Sequence, residues 1–118
     1  MIYETLSHSS FRPGQVWSCE NSNQLEITII AIDSYPEGSV FNVVVEDGID
    51  MNGVRRILAP IDSNYIEHLL SEKIRDHSEV TDDLISYDEW KGLAQQGKAG
   101  VWTTSPEQIL SSVREQVR

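Results

Sequence analysis

The strictest alternation of apolar and polar residues in the chain runs from Leu25 to Ile32, Leu-Glu-Ile-Thr-Ile-Ile-Ala-Ile. A period of two is the mark of a β-strand. Leu25, Ile27, Ile29 and Ala31 are therefore predicted on one face, and Glu26, Thr28, Ile30 and Ile32 on the other. The first face is apolar throughout; the second is polar at its start and apolar at its end. Phe41 to Glu46 repeats the pattern after the turn sequence Tyr35-Pro36-Glu37-Gly38, so the two runs are expected to pair antiparallel at the centre of a sheet.

Weaker patterns flank this pair. Pro13-Gly14 is a turn signal before a short first strand over Gln15 to Cys19, which the polar stretch Glu20 to Asn23 joins to the central strand as a hairpin. The third strand is expected to run through Asp47-Gly48 toward Met51. Asn52-Gly53 then turns the chain, and a fourth strand returns over Val54 to Ala59 and ends at Pro60. A short helix from Asp62 or Ser63, with Tyr65, Ile66, Leu69 and Leu70 inward, an edge strand over Lys73 to Arg75 and an acidic loop over Asp76 to Asp83 come next. Ser86-Tyr87-Asp88-Glu89 has the form of a capping box with Ile85 and Trp90 as a hydrophobic staple. It predicts a helix that starts at Tyr87, buries Trp90, Leu93 and Ala94, and stops at Gly97. Val101 to Thr104 gives one more short strand. Ser105-Pro106-Glu107-Gln108 opens a final helix, with Ile109, Leu110, Val113 and Val117 on its apolar face.

The expected fold class is α+β: a bent antiparallel sheet, a half-barrel-like meander of about four to five strands, covered on one side by three helices, the last one C-terminal. No linker or repeat divides the chain, so residues 1–118 are expected to form one domain, with 1–12 as a loosely held arm.

Composition narrows the function classes. The single cysteine, Cys19, rules out an internal disulfide and sits in a strand pattern that suits a small buried thiol better than a nucleophile. The N-terminal stretch lacks the basic-then-apolar order of a secretory signal, and no apolar run approaches the roughly 20 residues of a membrane span. A cytoplasmic location is expected. Acidic residues outnumber basic ones by 19 to 9, a formal net charge of −10. Such a field repels phosphate backbones and anionic membranes and favours encounter with basic proteins. Neither nucleic acid nor membrane is an expected partner.

Gly14-Gln15-Val16-Trp17, the acid–glycine pair Asp47-Gly48, Tyr87-Asp88-Glu89-Trp90 and the segment Gly97 to Thr103 occur in order along nearly the whole chain. Together they resemble a family of small, stand-alone bacterial proteins of unassigned function. The resemblance implies no catalytic residue, and the acidic stretch Asp76 to Asp83 lies outside its pattern.

Chemistry-bearing motifs are absent. There is no Gly-x-Ser-x-Gly, no glycine-rich phosphate loop and no HExxH, and His8, His68 and His77 are widely spaced. Adjacent acids such as Glu46-Asp47 and Asp82-Asp83 do not follow the alternating spacing of a calcium loop. No metal or cofactor is expected. Pairing of Glu46 with His68 or His77 for acid–base work has no local support. Trp17, Trp90 and Trp102 each fall in a patterned element, where core packing with the indole N–H satisfied at the edge is the expectation.

The acids themselves are clustered. Asp33, Glu37, Glu46, Asp47 and Asp50 span a block with no Lys or Arg, and so do Asp76, Glu79, Asp82, Asp83, Asp88 and Glu89. Asp88 and Glu89 fit helix-start electrostatics; the other nine are the candidate partner-binding residues. The expected function is a non-catalytic acidic module that binds a basic protein. Its most concrete form is an immunity-type or antitoxin-like inhibitor that covers the active site of a basic toxin such as a nuclease. The alternatives are a small enzyme working in the sheet's concavity and a self-associating housekeeping protein; the sequence leaves oligomeric state open.

Overall fold

The computed structural model describes residues 11–20, 22–36, 38–47, 56–76 and 81–116. Five strands, β1 (Val16–Cys19), β2 (Ser22–Tyr35), β3 (Gly38–Asp47), β4 (Arg56–Asp62) and β5 (Leu70–Arg75), form one open sheet in the order β4-β3-β2-β1-β5, with every neighbouring pair antiparallel. Two 3-10 turns, Ser63–Tyr65 and Glu67–Leu69, link β4 to β5. Helix α1 (Thr81–Gln95) and helix α2 (Pro106–Gln116) complete the α+β architecture. Residues 1–10 of the expected 1–12 arm, the end of the third strand beyond Asp47, the Asn52-Gly53 turn and the start of the fourth strand lie outside the described residues; the last two residues of that arm are held, Phe11 packing edge-on against Trp17 and Phe41 and Arg12 N–H donating to Gln15 Oε1.

The apolar run around Leu25 is the middle strand, as its pattern predicts. Its alternation, however, breaks once. Ile29 pairs with Val43 and Ala31 with Asn42, so Ile30 and Ala31 together oppose a single residue of β3. This β-bulge shifts every later side chain by one position. Leu25, Ile27, Ile29 and Ile32 consequently share the larger core, while Ile30 and Ala31 join the smaller one on the opposite face. The prediction had Ala31 and Ile32 exchanged, because strict alternation cannot register an inserted residue.

Both faces of the sheet are covered, not one. β3 is apolar on both sides, Phe41, Val43 and Val45 alternating with Val44, and such a strand needs two lids. Ile66 and Leu69 of the turns and Ile109, Leu110 and Val113 of α2 close the larger core. Tyr87 and Trp90 of α1 close the smaller one against Ile30, Val44 and Leu58.

Several local signals are resolved differently by the fold. Pro60 lies inside β4 and does not end it: its carbonyl and the Asp62 N–H both point away from β3, to Trp102 N–H at 2.8 Å and Trp102 O at 2.9 Å. A proline on that outward side of an edge strand forfeits no ladder bond. The expected strand around Trp102 is reduced to this single parallel bridge with Ile61. Helix α1 begins at Thr81, six residues before the predicted start, so Ser86 to Glu89 is helix interior and Ile85 is 63% exposed, not a staple. The acids that looked like a solvated loop supply the helix's first turn, where negative charge is favourable, and Asp83 is anchored there by Arg56 at 2.7 Å. Leu93, expected in the core, is 46% exposed. The short helix expected after Asp62 is the pair of 3-10 turns, its first turn capped by Asp62 Oδ1 accepting from Asn64 N–H at 2.9 Å.

Both helix-end signals in the last third do what their residues predict. Gly97, at φ 72°, closes a Schellman motif in which Lys98 N–H reaches Leu93 O at 2.9 Å and Gly97 N–H reaches Ala94 O at 3.0 Å. Ser105 Oγ accepts from Gln108 N–H at 3.3 Å, with buried Pro106 in the first turn of α2.

Ile109 is fully buried where α2 meets the sheet. Ile109→Ala is expected to cost about 2–5 kcal/mol through the cavity it leaves, measured as a lower urea midpoint at unchanged slope.

Candidate functional site

The sheet end next to the β2–β3 turn is where polar chemistry gathers. Asp33, Val40 and Asp62 are successive cross-strand partners on β2, β3 and β4. Tyr35 pairs with Gly38 to close the turn, Gly38 taking a φ of 141° that a side chain would resist. Above this row lie α1 and the segment from Gly97 to Thr103.

Asp33 is the hub. Its side chain is 12% exposed and accepts from the Tyr87 hydroxyl at 2.9 and 3.0 Å, Lys91 Nζ at 3.1 Å and Asn42 Nδ2 at 3.4 Å. Tyr87 and Lys91 stand one helical turn apart, so one face of α1 delivers both. Lys91 Nζ also lies 5.6 Å from the Tyr87 ring centroid. The Tyr87 hydroxyl and the Asp33 carboxylate push Lys91 above its ordinary pKa, so it stays a cation. Tyr87 is raised as well, by burial first, with Asp33 adding to the effect. A phenol activated for proton transfer at neutral pH needs the opposite shift. Tyr87 is committed to holding α1 on the sheet. Asn42, fully buried beside it, has an Oδ1 that meets no donor among the described residues.

Two adjoining hollows open beside this hub. One, of about 220 Å³, is lined by Tyr35, Val40, Trp90, Ala94, Gly97, Ala99 and Val101. The other, of about 170 Å³, is lined by Tyr35, Gly38, Ser39, Val40, Asp62, Val101 and Thr103. The Trp90 indole N–H donates to Gly100 O at 2.9 Å and fixes the segment that walls both. A third open depression, of about 390 Å³, is lined by Phe11, Ser63, Asn64, Glu67 and His68, and Glu46 is not among its lining residues. His77 lies outside the described residues. Among the described residues no group of three or more His, Cys, Asp or Glu comes together as metal ligands, and no helix is long and apolar enough to cross a membrane.

Most of the described candidate acids are paired within the fold. Asp33 is paired as above. Asp47, 4% exposed, meets Arg114 of α2 at 2.9 Å, and Asp83, 8% exposed, meets Arg56 of β4. Asp76 pairs with Lys73, and exposed Glu46 stands opposite Arg56 in the ladder. Asp82 lies in α1 with its side chain outside the described set, as are Glu37, Asp50 and Glu79 entirely. The blocks lack cations only along the sequence; across the fold, Arg56, Lys73, Lys91 and Arg114 arrive from other positions. The expectation of unpaired negative surfaces is therefore corrected for Asp33, Asp47, Asp76 and Asp83. Asp62, Tyr35 and Val101 escaped the sequence reading. Their only signal was position: a cap, a turn and a short strand that the fold brings to one rim.

Gln15 and Trp17, two of the residues behind the resemblance, brace the chain locally. Gln15 Oε1 accepts from Arg12 N–H at 2.9 Å and the Trp17 indole at 3.1 Å, bracing the entry to β1. Cys19 is 4% exposed, and burial, with Glu107 and Glu20 adding to it, pushes its thiol up to about 11.

Two outcomes follow. Asp33→Ala strands the Tyr87 hydroxyl and Lys91 and is expected to cost about 2–3 kcal/mol; hydrogen exchange should accelerate across α1 and not across α2. Because the folded pKa of Cys19 lies above its unfolded value of 9.0, its contribution is complete below pH 9 and lost as pH rises toward about 11. Wild type should thus lose stability over that window more steeply than Cys19→Ala, and Ellman's reagent should label the thiol only once the protein is unfolded.

No protein-family model, no curated protein and no solved structure matches this chain, so what it does must be sought in its own geometry and charge.

Proposed function

We propose that this chain is a non-catalytic docking module for a basic protein, its contact surface the outward side of α1. The observation that carries this reading is the charge left over once the ion pairs are drawn. Among the described residues five pairs engage Arg56, Lys73, Arg75, Lys91 and Arg114. Each removes one charge of either sign, so the excess of ten negative charges is undiminished and falls on other groups. On the side of α1 turned away from the sheet, Asp88 and Glu89 are exposed without an ion pair among the described residues. They are interleaved with Ile85, Leu93 and Leu84 at 63%, 46% and 39% exposure. Acids among exposed aliphatics suit a partner that offers cations around an apolar patch. An inhibitor of a basic toxin, such as a nuclease, is the most specific form of this proposal, its carboxylates standing where phosphates would bind.

Two features weigh against the alternatives. The hollows are open and the hub's proton-bearing groups are engaged with one another, which gives catalysis little to work with. Self-association through strand edges is opposed by the register breaks that β5 carries against β1 and by Pro60 and Trp102 along β4.

The test begins with affinity capture from the native cell and continues with stopped-flow association of the captured protein. Asp88→Lys with Glu89→Lys is expected to slow association about ten-fold at low salt while changing dissociation little. The difference should vanish near 1 M salt, where the screening length is about 3 Å. Recovery of no basic protein, or rates indifferent to salt and substitution, removes the proposal.

A further inference from the structure

The geometry points to a receptor for a single arginine side chain of the docking partner in the hollow bounded by Tyr35, Val40, Asp62 and Val101. The inference rests on the docking reading for the identity of the partner, but the receptor can be tested without it.

Asp33, Val40 and Asp62 form one row across three strands. These residues share one face of the sheet, and the two carboxylates flank the same valine. Asp33 is supplied with a cation by Lys91. Asp62 is half-buried and no described Lys or Arg pairs with it; its Oδ1 accepts from Asn64 N–H, and Oδ2 has no donor among the described residues. A half-buried carboxylate that no described cation meets, in a chain of net charge −10, is free to accept a charge-assisted hydrogen bond from a partner's cation.

The rest of the lining selects the cation. Val40 and Val101 present aliphatic surface for a methylene stem, and Tyr35, 37% exposed, offers a ring to a planar guanidinium. Arginine satisfies all three features at once, since its fork can meet a carboxylate while its plane lies on an aromatic ring. Ser39 and Thr103, on the same rim, can accept its remaining N–H groups. The neighbouring hollow, walled by Trp90, Ala94 and Ala99 and sharing Tyr35, Val40 and Val101, takes the apolar residue beside that arginine.

The experiment titrates N-acetylargininamide into the full ¹⁵N-labelled chain, with N-acetylnorleucinamide as the uncharged probe. Saturable shifts at the Tyr35, Ser39, Val101 and Thr103 amides and the Trp90 indole are expected for the arginine probe, and none of similar size for norleucine. Asp62→Asn keeps an oxygen to cap Asn64 and removes the charge; it should weaken binding at least about ten-fold. Tyr35→Ala, at an exposed turn position, should weaken it too and serves if Asp62→Asn disturbs the fold. Glu115→Gln, an exposed charge change on α2 outside the hollow, should leave probe affinity within about two-fold. Absent shifts, equal response to norleucine, unaltered affinity in both hollow variants, or equal loss in Glu115→Gln would each overturn the receptor. The docking proposal fails separately, by the salt and rate measurements.

Discussion

A carboxylate withdrawn from water has to meet a cation or a set of donors, and in this chain that requirement decides where the helices sit. Asp33 receives Lys91 and Tyr87 from α1, Asp83 on α1 receives Arg56 from β4, and Asp47 on β3 receives Arg114 from α2. Each helix is thus clasped to the sheet by at least one ion pair with a carboxylate no more than 12% exposed. Pairs of this kind add little net stability compared with apolar contacts of the same shape. Their effect is on placement, because a helix that slid by one residue would leave a charge buried and unpaired. Net attraction to the sheet comes from Ile109, Leu110, Tyr87 and Trp90; orientation comes from the acids.

Much of the sheet was legible because it depends on period alone. The alternation around Leu25, the Tyr35 to Gly38 turn and the edge strand ending at Arg75 follow from side-chain direction and turn chemistry, which are local. So do the stop at Gly97 and the Ser105 cap. What was lost depends on more than a few neighbouring residues. The bulge at Ile30 leaves every residue type plausible and changes only the count. The start of α1 was misread because Ser86 to Glu89 satisfies a capping pattern as well as the true first turn does, and the anchor that settles the matter, Arg56, lies 27 residues away.

The candidate site was less legible for the same reason. Stretches without Lys or Arg looked uncompensated, yet spatial pairing draws on the whole fold: Asp47 and Arg114 are separated by 67 residues. Conversely, Asp62 reads in the sequence as a cap and nothing more, and only the ladder sets it in line with Asp33 and Val40. Clustering of charge along a chain measures composition, whereas compensation is decided by topology.

The bulge in β2 has a consequence for how such a protein can change over generations. Side chains beyond Ile30 owe their direction to one surplus residue, so Asp33 meets α1 and not α2 only while that residue is present. A deletion of a single codon there would turn the hub over beneath the other helix, whereas most substitutions nearby would leave it upright. Length, more than identity, is the inherited variable at that point of the strand.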